Sequence, residues 1–137
     1  MKPINAVMVL IGSAIIFLGL NVGLGGIRTL GWQSTEDFII VTNAATFAVQ
    51  DNHIRFIAGV WFGVGAMFVL GGFWLDKLRV TLIALSGMIA VAGLFRLSAM
   101  DGVILSSAIA PSMIFELVGF PLLAVWLTRS ENRDQPA

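Results

Sequence analysis

The chain has 137 residues, with eight Lys and Arg balancing eight Asp and Glu, and a mean hydropathy of +0.93. At 58% hydrophobic and 12% charged residues it departs from a soluble domain, where charge makes up about a quarter of the chain, and its scattered basic residues form no patch for nucleic acid. The lack of Cys excludes disulfides and cysteine nucleophiles, and a lone His53 excludes a multi-histidine metal site within the chain.

No charged residue lies between Pro3 and Ile27, which predicts a first membrane span over about 3–24, since a spanning helix needs about 20 apolar residues. The run exceeds a signal-peptide core and no Ala-x-Ala cleavage site follows it, so an uncleaved helix is expected. Gly25-Gly26 and Gly31 then break the helix. Ser34-Thr35-Glu36-Asp37 reads as a helix start, and Phe38 to Val49, too short to span, predicts an amphipathic interfacial or re-entrant helix.

The second span is expected over 53–74, with no charge between Arg55 and Asp76. The third is expected over 80–100, interrupted by Arg96. Leu75-Asp76-Lys77-Leu78-Arg79 is read as the short turn of an antiparallel hairpin between them. The fourth, over 111–128, starts on Pro111, which suits a first helical turn, and contains Pro121, which leaves the Leu117 carbonyl without its helical donor and predicts a kink. A polar tail, 129–137, follows. The expected architecture is an all-α membrane protein, one domain over 1–128 forming an antiparallel bundle of four transmembrane helices.

Lys2, Lys77, Arg79, Arg129 and Arg133 fall on one side of the membrane, and Arg28, Arg55 and Arg96 on the other. The positive-inside rule therefore places both termini in the cytoplasm. Gly19-x-x-x-Gly23 and Gly59-x-x-x-Gly63, with Ser86, Gly87, Ala90 and Gly93, are candidates for close helix approach or for contact with a second copy.

The candidate site is polar. Rise along the helices places Asn21, Arg55, Arg96 and Glu116 in the outer part of the bilayer, roughly 20–33 Å from the cytoplasmic basic residues. Asp51, Asn52 and His53 lie at the same level, with Asp101 just beyond Arg96. One reading is structural: Arg96 pairs with Glu116, and Arg55 with Asp51 or Asp101, because charges inside a membrane protein pair with one another. The other is a pocket open to the outer face, in which two guanidiniums grip a carboxylate or phosphate head group. His53 near Asp51 does not make a catalytic pair, since residues two apart do not share a helix face. No catalytic residue, metal or cofactor is expected, and the partners expected are the lipid bilayer, an amphiphile, a second copy or another membrane protein.

The order Asp51-Asn52-His53-Ile54-Arg55-Phe56-Ile57-Ala58-Gly59 with Gly63, then Gly93-Leu94-Phe95-Arg96-Leu97-Ser98 and Asp101-Gly102, then Glu116 before Pro121, resembles the DUF4345 family. The resemblance implies a small four-helix protein of the bacterial inner membrane and supplies no activity. A more distant likeness to DoxX-like proteins implies an alternative, a redox-associated subunit or small membrane enzyme using a quinone or lipid.

Overall fold

The structure, a computed structural model, describes residues 2–28, 40–98 and 109–134, the last four as backbone only. Among these residues all regular structure is helical: α1 (Pro3–Gly25), α2 (Ala44–Phe73), α3 (Leu75–Leu97), α4 (Ala110–Ile114) and α5 (Phe120–Asp134), with a π-helical turn, Phe115–Gly119, joining α4 to α5. Four stretches, Pro3–Gly25, Ala44–Phe73, Leu75–Leu97 and Ala110–Ser130, are long and apolar enough to cross a membrane. Large apolar side chains such as Leu10, Phe56, Val80 and Phe95 are exposed. Lipid tails are as apolar as these side chains and can cover them. The chain is an all-α membrane protein. It divides into two units, Met1–Leu75 and Asp76–Ala137.

In the first unit α1 and α2 run antiparallel along a seam of small residues. A Cβ on Gly12 would lie 2.6 Å from the Gly65 carbonyl oxygen, and one on Gly19 would lie 2.7 Å from the Phe62 nitrogen. Gly72 sits against Val9 in the same way. Asn5, Gly12 and Gly19 on α1, and Ala58, Gly65 and Gly72 on α2, each recur every seven residues. That period keeps one face of a helix turned toward its partner. The second glycine motif behaves differently from expectation: a Cβ on Gly59 or Gly63 would meet no atom of another element within 4 Å. They sit outside the seven-residue repeat, on another face of α2.

The helix expected over Phe38–Val49 is also revised where the structure describes it. Asn43 is the cap, its side chain accepting the Thr46 N–H at 3.0 Å. Ala44 to Val49 are the opening turns of the 30-residue α2, while the Ser34 start lies outside the described residues. No Gly or Pro stands between Asn43 and Gly59, and Asp51 and Arg55 support the helix at i, i+4 spacing, so nothing stops the helix before the span. At about 45 Å α2 is longer than the roughly 30 Å hydrocarbon core.

α3 begins at Leu75, the last residue of the first unit, so only Trp74 separates it in the chain from α2. Leu75 to Arg79, expected as a connecting turn, is helical because Asp76 in the first turn complements the helix dipole. The fourth span carries the π turn where a kink was expected. Phe120 N–H reaches back five residues to the Phe115 carbonyl, and the wider turn takes up the clash that the Pro121 ring would make with the Leu117 carbonyl in a regular helix. The polar residues 129–134 continue α5 instead of forming a separate tail.

Candidate functional site

Two polar clusters stand out, one in each unit. In the first, α1 ends at Gly25 and its last carbonyls have no donors of their own. Arg55, one turn from Asp51 on α2, supplies them: Nη1 donates to the Leu24 carbonyl at 2.6 Å and to the Gly23 carbonyl at 3.1 Å. A cation there also complements the negative end of the helix. Asp51 completes the joint, Oδ2 accepting from Arg55 Nε at 2.7 Å and Oδ1 from the Ile27 N–H at 2.7 Å. Gly26, at φ +77°, lies against both side chains, and any Cβ there would collide with Asp51 Oδ1 and with Arg55 Nη2 at 2.6 Å. Arg28 follows, its guanidinium carbon 5.3 Å from the Phe47 ring centre. This cluster is a joint between helices, and it takes up Arg55, Asp51 and Gly26 together.

The second cluster spans α3 and the start of the fourth span. Arg96 Nη1 donates to Glu116 Oε1 at 2.6 Å and to Ser112 Oγ at 3.1 Å. Ser112 Oγ in turn donates to the Ile109 carbonyl at 2.8 Å. Gly93, one turn before Arg96, lets the two helices meet, since a Cβ on it would lie 2.9 Å from Glu116 Cβ. Glu116 is the second residue of the π turn. Its side chain is 13% exposed, whereas that of Arg96 is 43% exposed, and among the described residues Glu116 Oε2 is buried without a hydrogen-bond partner. The site thus presents a half-open guanidinium backed by a carboxylate with one unsatisfied oxygen. A buried unpaired acceptor costs about 1–3 kcal/mol, so the arrangement favours any donor that reaches it.

Among the other residues singled out from the sequence, Asn52 and His53 are exposed on α2. His53 Nδ1 lies 2.8 Å from the Val49 carbonyl oxygen. Asn21 is half-buried on α1, and Asp101 lies outside the described residues. Among the described residues no group of three or more His, Asp or Glu is placed to hold a metal ion. A shallow cleft of about 350 Å³ on α5, lined by Leu122, Val125, Trp126, Arg129 and Ser130, includes no member of either cluster.

Sequence reasoning missed Arg79. Counted as a loop charge, it is instead a buried side chain, 8% exposed, that donates to the Leu127 carbonyl at 2.9 Å and to Ser130 Oγ and pairs with the exposed Asp76 at 3.2 Å. Asn5 plays a similar part in the first unit, its Nδ2 donating to the Gly72 carbonyl at 2.9 Å. The available signal was positional: both lie in the first turns of apolar helices, on the same face as their buried apolar residues.

Fold and site together define a multi-pass helical membrane protein whose few polar side chains tie helix ends to neighbouring helices. The chain belongs to the DUF4345 family, a domain of unknown function, whose family model matches residues 4–127. No curated protein and no solved structure matches it.

Proposed function

We propose that this protein is a non-catalytic component of the bacterial inner membrane, both termini cytoplasmic, that holds the anionic head group of an amphiphile at Arg96, Ser112 and Glu116. The observation that carries this reading is the half-open Arg96 guanidinium, fixed by Glu116 at 2.6 Å on a π turn. Such turns occur frequently at functional sites, and ionisable groups inside a span mark function more often than elsewhere. A guanidinium offers five donors in a planar fork, of which Glu116 and Ser112 together use one nitrogen, so a carboxylate or phosphate oxygen can be accepted without breaking the pair. Arg55 does not belong to this reading, because its guanidinium serves the end of α1.

The test is native mass spectrometry of protein held in phosphatidylcholine nanodiscs doped with phosphatidylglycerol. Arg96→Lys keeps the charge and loses the fork, so phosphatidylglycerol retained by the protein should fall at least several-fold, while Arg55→Lys retains it. Equal retention in wild type and Arg96→Lys overturns the proposal. Copurification of a ligand with quinone absorption, lost in Arg96→Lys, would replace it with the redox-associated alternative.

A further inference from the structure

The two units are built to one plan. A shift of 74 residues carries Met8, Gly12, Ile15 and Gly19 of α1 onto Leu82, Ser86, Ile89 and Gly93 of α3, and all eight positions are buried. A shift of 55 carries Ala58, Gly65, Phe68 and Gly72 of α2 onto Met113, Phe120, Leu123 and Leu127 of the fourth span, again all buried. Val64 and Gly71, also buried on α2, have no buried counterparts.

Contacts follow the same two shifts. Asn5 donates to the Gly72 carbonyl and Arg79 donates to the Leu127 carbonyl; the shifts map donor onto donor and acceptor onto acceptor. Gly19 lies against Phe62 in the first unit, and Gly93 lies against Leu117, the equivalent of Phe62, in the second. The change of donor has a physical reason. Where Gly65 faces Gly12 and Gly72 faces Asn5 and Val9, the backbones touch and a short Asn reaches across. Phe120 and Leu127 fill the equivalent space with side chains, and the longer Arg bridges it.

The geometry points to one helical hairpin used twice, with Arg96, Ser112 and Glu116 as additions to the second copy that serve binding and not the docking of its helices. Their equivalents under the same shifts are Val22, Ile57 and Trp61, all uncharged; the first unit's Arg55–Asp51 ion pair lies within α2 at other positions and serves the end of α1. By contrast Arg79 has a counterpart making the same bond, which marks it as part of the hairpin itself. The inference rests on the head-group reading above for the ligand, an anionic phospholipid, and adds which residues the fold can do without.

The experiment replaces the three residues by their first-unit equivalents, Arg96→Val, Ser112→Ile and Glu116→Trp in one full-length chain. Helicity and the denaturation midpoint in detergent are read beside phosphatidylglycerol retention in doped nanodiscs. The expected result is a chain as helical and cooperative as wild type, whose phosphatidylglycerol falls to the bulk proportion of the disc. A second chain with Glu116→Leu in place of Trp guards against a simple clash of the indole ring. If both chains lose cooperative unfolding, the cluster docks the helices and the inference is overturned. If they fold and keep the lipid, it is overturned as well. Wild type showing no enrichment beside well-folded variants refutes the head-group reading while the repeated-hairpin part of the inference stands.

Discussion

Arg55→Met tests the joint at the end of α1 most directly. Methionine keeps much of the apolar stem and removes the donors to Gly23, Leu24 and Asp51. Hydrogen bonds from a charged group contribute about 1.5–3 kcal/mol when buried, and an exposed ion pair contributes at most about 1 kcal/mol. The Arg55 side chain is part-exposed and Asp51 largely covered, so each interaction falls below its buried value and the loss should total about 2–3 kcal/mol. Arg55→Lys keeps a cation beside the helix end but loses the fork, and should lose about half as much. Equilibrium unfolding in mixed detergent–SDS micelles, followed by circular dichroism, measures both against Lys77→Ala, an exposed residue on α3. If Arg55→Met unfolds at the same point as Lys77→Ala, the guanidinium is solvated and the cap on α1 contributes nothing.

Gly12→Leu and Gly65→Leu each place a side chain where a Cβ alone meets backbone at 2.6–2.7 Å, so both should disrupt the α1–α2 pair. Gly59→Ala and Gly63→Ala, in open space, should leave stability unchanged or raise it by up to about 1 kcal/mol, the helix-propensity difference; the same unfolding titration separates the two classes. Arg79→Leu removes a buried donor from the Leu127 carbonyl and Ser130 Oγ, which keep the bond between them, and should lower stability by about 1–3 kcal/mol, whereas Asp76→Asn, at a side chain 93% exposed, should shift the midpoint little. For orientation, a reporter active only outside the cytoplasm should be silent when fused at Ala137 and active when fused between residues 29 and 39; activity at Ala137 would reverse the assignment.

Much of this protein was legible along the chain because lipid imposes a simple rule. Every spanning segment must satisfy its own backbone, so length and apolarity identify the four helices, and the scarcity of charge picks out Arg55, Arg96 and Glu116 as residues with partners. The Arg96–Glu116 pair followed from the cost of leaving either group alone. What the sequence could not decide was partner choice and register. Charges cannot report that α2 is capped at Asn43 and starts at Ala44, because helix continuity there depends on the absence of a breaker and not on hydropathy. Glycine spacing alone cannot say which glycines meet: Gly59-x-x-x-Gly63 has the textual form of a packing motif, yet the seven-residue set facing α1 is Ala58, Gly65 and Gly72. Arg79 read as a loop charge because charge counts for membrane topology whether or not a side chain is buried. Only the paired helices, with their facing carbonyls at Gly72 and Leu127, turn Asn5 and Arg79 into equivalent donors, since a hydrogen bond across two helices depends on a distance in space that no interval along the chain contains.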